Sequence, residues 1–317
     1  MKICITGIAG FVGSNLAEKL NNYGYEVVGI DSFEDYYSPI FKRHTAKILE
    51  KQDIKVYELN LCKDSLSNAL DGVDVVYHLA AQPGNDAKTP FENYVNNNIY
   101  ATKNLLEQVK KLNSLKAFIN IATSSVYGFF ATSPETEIPL PVSPYGVTKL
   151  AAEHLVMSEH RNNKFPACSC RLFSVFGKRE RPDKLCPKLI KALANDTEFP
   201  LFEGSLEHKR SFSNIEDITQ GLILPLKKWE KAEGEIFNIG TEEQNTTKRC
   251  IEVAEKIFKR KLKVKMLPKR PGDQLTTHAN VNKSREVLGY NPHVSLEEGL
   301  NTMINWYLNE VKDVVEY

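Results

Sequence analysis

The chain has 317 residues, with 41 Lys and Arg against 40 Asp and Glu, and a net charge of +1. So even a balance gives no global pull towards nucleic acid or a membrane surface, and no apolar run approaches the ~20 residues that a membrane span requires. The length allows one large α/β domain with a smaller companion.

Residues 3–6 form a short apolar, β-prone run almost at the amino terminus, where a signal peptide would have to stand, so a soluble, cytoplasmic protein is expected. The glycine loop Gly7-Ile-Ala-Gly10-Phe11-Val12-Gly13 comes next, and then a helical pattern through Leu16, Ala17 and Leu20. Strand, glycine loop and helix in this order suit a dinucleotide. Glycines permit the tight turn, the approach of backbone to pyrophosphate and close helix packing, and the helix amino terminus favours negative charge. Residues 26–30 read as the second strand and end at Asp31, whose carboxylate can accept hydrogen bonds from the adenosine ribose hydroxyls and would repel a 2′-phosphate. NAD is therefore expected over NADP, with Lys42 or Arg43 as the cations that would reverse the preference.

Further strands are expected at residues 56–59, 73–79, 117–122 and 167–173, and the clearest helices at 96–112 and 144–161. This rhythm predicts a doubly wound, parallel Rossmann sheet. After residue 173 it breaks into a basic, loop-rich stretch, Gly177-Lys-Arg-Glu-Arg-Pro-Asp183, and then short mixed elements. Residues 215–226 and 235–239 again read as helix and strand. The expected division is therefore a dinucleotide domain at 1–173 with 214–239 returning to it, and a smaller carboxyl-terminal substrate lobe at 174–213 and 240–317. A last helix, expected over 295–308, carries a Leu/Met/Ile/Trp stripe that suits a core rather than a partner.

Tyr145-Gly-Val-Thr-Lys149 carries the chemistry. Ser143 and Pro144 read as N-cap and first helical position, which puts Tyr145 and Lys149 one turn apart on one face. A phenol with an ordinary pKa near ~10 is a poor base at neutral pH, and a lysine ammonium beside a nicotinamide cation would favour the phenolate. Tyr145 then serves as general base. The spacing alone is common on solvated helix faces, and it gains meaning from the glycine loop and from Thr123-Ser124-Ser125 upstream.

The six cysteines are scattered without a C-x-x-C pair, Cys168 and Cys170 are expected to pack as small buried residues, and the seven histidines lack ligand spacing. No metal is expected.

With these pieces placed, the chain resembles the NAD-dependent nucleotide-sugar epimerases of the extended short-chain dehydrogenase/reductase family, most closely the UDP-glucuronate 4-epimerases. The resemblance implies cofactor contacts at Gly7, Gly10, Gly13 and Asp31, in the segment His78-Leu79-Ala80-Ala81-Gln82, and at Asn98. Asn60-Leu61 stands where the family has Asp and an apolar residue near adenine. It also implies that Thr123 hydrogen-bonds the reacting sugar hydroxyl, with Ser124 and Ser125 as second choices. The family's 4,6-dehydratases and decarboxylases carry acidic residues at these two serine positions, so Ser124 and Ser125 favour simple epimerisation.

On the substrate side, Arg171-Leu-Phe-Ser174-Val-Phe-Gly177 resembles the family's R-x-F-N-V-Y-G, with Ser174 in place of the Asn that helps hold the diphosphate. Arg181 would face the sugar carboxylate, Arg210 and Arg270 would clamp the diphosphate with forked donors, and Asp273 would reach the ribose. A solvated basic face is the plainer alternative for these arginines, Arg179 above all. Asp86 stands where the glucuronate epimerases have Arg, which removes positive charge near the sugar. Epimerisation of UDP-N-acetylglucosamine or UDP-glucose, a nucleotide-sugar reductase and a non-catalytic dinucleotide sensor remain as rival readings. The family's homodimers would pair residues 96–112 and 144–161, although Tyr100, Leu105 and Leu155 on those helices suit a core equally.

Overall fold

The computed structural model describes residues 1–84, 89–269 and 276–312. Its centre is a sheet whose inner strands are buried on both faces and whose edge strand β3 is half-exposed: β1 (Lys2–Thr6), β2 (Glu26–Asp31), β3 (Lys55–Glu58), β4 (Val75–His78), β5 (Ala117–Thr123), β6 (Ala167–Leu172) and β7 (Ile236–Ile239). All seven run parallel, in the order β7-β6-β5-β4-β1-β2-β3. The order reverses at β1, since the chain runs outward to β3 and then returns to the other side of β1 as β4. A crevice opens at such a point beyond the carboxyl ends of the strands, because the flanking connections diverge there.

Alternation along each strand divides the core between the faces. Ile3, Ile5, Tyr77, Ile119, Ile121 and Phe237 pack on α1 (Phe11–Asn22) and on a helix formed by Ile215–Lys227. Cys4, Val28, Ile30, Val76 and Phe118 face the other way, towards Leu105, Leu106, Val156 and Met157. Cys168 and Cys170 share a face and are fully buried. A second core gathers Leu189, Ile190, Leu193, Val253, Leu300, Met303, Ile304 and Trp306. The last helix, Leu296–Trp306, is closed at its start by a capping box between Ser295 and Glu298 and turns its stripe into this core.

Three boundaries differ from expectation. The helical run expected from residue 96 begins with Phe91–Tyr94, directly after Pro90, and passes through a π-helical turn at Val95–Tyr100 before Ala101–Val109. A π turn inserts one extra residue per turn and rotates the residues downstream of it, a shift that hydrophobic period does not report. The Tyr145 helix extends to Asn163 rather than 161. The last helix continues through a second π turn, Tyr307–Val311. Among the described residues no helix is long and apolar enough to cross a membrane.

Candidate active site

One cleft of about 570 Å³ lies across the switch point at β1 and β4. Its amino-terminal wall is the glycine loop. Gly7 has φ +71, and a Cβ built there would meet the Ala80 nitrogen at 2.9 Å. A Cβ on Gly13 would stand 2.3 Å from the Gly7 carbonyl oxygen. Only glycine allows these two backbone approaches. The loop leads into α1, whose N-cap Gly10 offers no side chain to the first backbone N–H groups. Gly10, Phe11 and Val12 line the cleft here, so those donors face a site that suits a diphosphate.

Asp31, at the end of β2, also lines the cleft. It accepts from the backbone N–H groups of Ala9 at 3.0 Å and Phe33 at 2.9 Å. Burial raises its carboxyl above the ordinary carboxylate range, while Lys42 and these two amides act against the rise. The two cations that could invite a 2′-phosphate already have partners, although Lys42 itself lines the cleft near Asp31. Arg43 forks onto Glu58 at 2.9 and 2.6 Å, and Lys42 donates to the Glu34 carbonyl at 2.5 Å. Asn60, Leu61, Leu79, Ala80, Ala81 and Gln82 line the same wall.

Asn98 does not. Its Oδ1 accepts from the Gln82 N–H at 2.7 Å and its Nδ2 donates to Thr148 Oγ1 at 2.9 Å, while its neighbour Asn97 lines the cleft. The π turn supplies the reason, since it turns residue 98 inward. Asn98 thus supports the cleft from behind rather than forming its surface.

Tyr145 and Lys149 sit on the first turns of α2 (Pro144–Asn163), where Ser143 caps the helix by accepting from the Gly146 N–H at 3.1 Å. Both residues line the cleft with Thr123, Ser124 and Ser125. The Thr123 hydroxyl is hydrogen-bonded to the Tyr145 phenol, and Ser125 Oγ lies 3.3 Å from Thr123 Oγ1. The short 3₁₀ turn Ser124–Tyr127, capped by Thr123, holds these hydroxyls at the end of β5.

Burial pushes the Tyr145 phenol above its ordinary value, and the groups that draw it down are Thr123 and Arg181. Lys149 donates instead to the Ile121 carbonyl at 2.6 Å, and burial lowers its pKa to about 8 against the pull of Glu153. Arg181, distant in sequence, is thus a cation that acts on the phenol. A lysine stem one turn along reaches the strand carbonyl first.

Glu153, a further turn along, is completely buried. It meets Arg171 Nη2 at 2.6 Å, and Arg171 Nη1 donates to the Tyr127 hydroxyl at 2.8 Å. This pair ties the Tyr145 helix to β6 beneath the site. Residue types hinted at it only through Arg171, and the partner was not legible.

Arg181 is buried, stacks over the Tyr36 ring at 5.0 Å from the guanidinium carbon to the centroid, and donates to Asp183 at 3.2 Å. Its Nη1 has no hydrogen-bond partner among the described residues. Ser174 lines the cleft with a left-handed backbone, φ 20, and its hydroxyl lies 3.4 Å from that of Thr277. Arg210 lines it too. Arg270, Asp273 and Asp86 lie outside the described residues. Tyr36, Tyr37, Phe176, Glu180, Lys184 and Phe212 complete the substrate side and were not foreseen. Arg179 is no solvated residue: only 2% of it is exposed, and it donates to Glu18 at 2.5 Å.

Residues 4–303 match the family described as GDP-mannose 4,6 dehydratase, and the chain belongs to this family of extended short-chain dehydrogenase/reductase enzymes. It is similar in structure to the UDP-glucuronic acid 4-epimerase of Bacillus cereus solved with UDP-glucuronic acid and NAD. That match has 37% identity and a TM-score of 0.91 over 99% of this chain and 100% of that one. In sequence it is 33% identical to UDP-glucuronate 4-epimerase 4 of Arabidopsis thaliana, over 97% of this chain and 75% of that protein. An uncharacterised UDP-glucose epimerase of Bacillus subtilis is 35% identical over 96% of this chain and 97% of its own.

Proposed function

We propose that this protein is an NAD-dependent isomerase that inverts C4 of a UDP-sugar, UDP-glucuronate above all, through a transient 4-keto sugar. The observation that carries the reading is the convergence of Tyr145, Thr123 and Arg181 at one point of a cleft whose other end is the glycine loop. In this division residues 1–173 and 214–239 hold the dinucleotide, and 174–213 with 240–317 hold the nucleotide sugar.

Bound NAD supplies a reversible hydride acceptor and donor at its nicotinamide ring. Gly7, Gly10 and Gly13 would hold its phosphates, Asp31 its adenosine ribose, and Asn60, Leu61 and residues 79–82 its remaining length. Tyr145 takes the proton of the sugar 4-hydroxyl while Thr123, within hydrogen-bond reach of the phenol, orients that hydroxyl. Before the transfer, Arg181 and the Thr123 bond favour the phenolate that accepts this proton, against the burial that opposes it, and the phenolate becomes a neutral phenol as the proton leaves the sugar. Tyr145 later returns the proton to the inverted centre. Anchoring of the diphosphate by Arg210 and Arg270 retains the keto sugar while it turns to present its other face. Ser124 and Ser125 offer no carboxylate for elimination, which separates this chemistry from the dehydration named in the family description.

Arg181 favours glucuronate among UDP-sugars, since it brings to the cleft a buried donor, Nη1, that has no hydrogen-bond partner among the described residues. Incubation of the purified protein with UDP-glucuronate, UDP-glucose and UDP-N-acetylglucosamine tests the reading. The UDP-galacturonate product should form fastest, with no net change in the reduced-nicotinamide absorbance band. Steady consumption of cofactor would instead mark a reductase. The reading carries with it a cytoplasmic setting and a homodimer joined through Ala101–Val109 and Pro144–Asn163. On these two helices Leu105 is buried in the core, whereas Val147 and, just before them, Tyr100 are exposed. Sedimentation at micromolar concentration tests the dimer.

A further inference from the structure

Helix α1 does more than open the phosphate loop. Asn15 Nδ2 donates to the Lys178 carbonyl at 3.0 Å, and Glu18 accepts from Arg179 Nη2 at 2.5 Å while standing 4.0 Å from Lys178 Nζ. Gln52 donates to the same Glu18 oxygen at 3.1 Å. The Glu18 carboxyl is held below the usual carboxylate range because the hydrogen bond and charge of Arg179 outweigh its burial.

Two features of Arg179 are costly to maintain. Its backbone is left-handed, φ +68, in a residue that is not glycine. Its buried Nε and Nη1 have no hydrogen-bond partner among the described residues. A buried ion pair so incompletely satisfied is weak support for folding, because apolar residues of similar volume often serve stability as well. The left-handed turn does have a geometric result. It sends residue 179 to α1 and leaves residue 181 over the Tyr36 ring, inside the cleft. Neither Glu18 nor Arg179 lines the cleft, so both act through Arg181.

We infer that Glu18 and Arg179 are a positioning pair for substrate selection, holding Arg181 at the sugar end of the cleft by fastening its loop to the helix that receives the dinucleotide phosphates. The inference rests on the reading of Arg181 as the group that meets the sugar carboxylate.

The test uses Glu18→Gln, which keeps the shape and a hydrogen-bond acceptor but removes the charge, in the full-length protein with NAD. Calorimetric titration with UDP-glucuronate and with UDP-glucose reads the selectivity directly. Glu18→Gln should weaken UDP-glucuronate binding by about tenfold and leave UDP-glucose within about twofold, and Arg179→Lys should fall between it and the parent protein. A general loss of structure would weaken both ligands together and would overturn the positioning role, as would an unchanged preference. If Glu18→Gln fails to fold, the same titrations on Arg179→Lys decide, and an unaltered preference there overturns the inference. A parent protein that binds UDP-glucuronate no better than UDP-glucose would remove the Arg181 reading itself, and the inference with it. That outcome is distinguishable because it is seen before any substitution.

Discussion

Asn98 Nδ2 donates to Thr148 Oγ1 across 2.9 Å, joining the π turn to the residue that lies between Tyr145 and Lys149. The same side chain accepts from the Gln82 N–H at 2.7 Å. One buried amide thus aligns the segment after β4, the π turn and the first turns of the helix that carries Tyr145. Replacing it by Leu would strand a buried N–H at Gln82. Asn98→Leu should cost about 1–3 kcal/mol in urea denaturation and reduce kcat, whereas Asn98→Asp, which keeps the acceptor, should cost less. Equal stability of the Leu variant and the parent would show that the bonds contribute little.

Tyr145→Phe removes the hydroxyl and keeps the ring. General acid–base participation is typically worth ~10²- to 10⁴-fold, so turnover should fall by at least that range while NAD and UDP-sugar dissociation constants remain within about twofold. Retained turnover would assign proton removal to another group.

Arg181→Gln should separate sugars by charge. A lost charge-assisted contact is worth about 1.5–3 kcal/mol, so KM for UDP-glucuronate should rise by roughly ten- to a hundredfold while KM for UDP-glucose changes little. Because Arg181 also lowers the Tyr145 phenol, the alkaline-rising limb of kcat should move to higher pH in the variant. Initial rates on both substrates between neutral and alkaline pH measure the two effects together.

His78 makes the pH behaviour of the fold predictable. It is fully buried between Thr6 Oγ1 and Thr102 Oγ1, both at 2.8 Å, and burial lowers its pKa to about 3. Thr102 donates to the Asn98 carbonyl at 2.6 Å, so it must accept from His78 Nε2–H, which assigns the neutral tautomer. Below the unfolded value of ~6.5 the unfolded chain takes a proton that the folded chain refuses until about 3. The stability contribution is therefore complete above ~6.5 and falls by about 1.4 kcal/mol per pH unit towards 3. His78→Asn lacks this proton. The stability difference between parent and variant, from urea curves at pH 7, 6 and 5 (about one unit apart), should shift in the variant's favour by that slope. A constant difference would mean that His78 is not held neutral.

Much of this protein is written in short-range signals. The apolar centre of β1, the glycines at 7, 10 and 13, the acidic end of β2 and the Ser143-Pro144 start of the Tyr145 helix each act within a few residues, through sterics, strand burial or capping. They were legible for that reason, as was the return of residues 236–239 to the sheet beside β6. The buried polar pairs that join the segments around the cleft were not legible in this way. Glu18 and Arg179 are 161 residues apart, Glu153 and Arg171 18 apart across two elements, and Asn98 and Thr148 50 apart. No periodicity or local propensity encodes such partners. Nor does spacing report electrostatics: Lys149 lies one turn from Tyr145, as its position requires, its ammonium is bound to the Ile121 carbonyl, and Arg181 from a distant loop also lowers the phenol. The sequence by itself determined the elements, the glycine loop and the placing of Tyr145 and Lys149 on one helix face. Only the tertiary structure decided which charges surround the Tyr145 phenol, because burial and proximity exist only once distant segments are packed together.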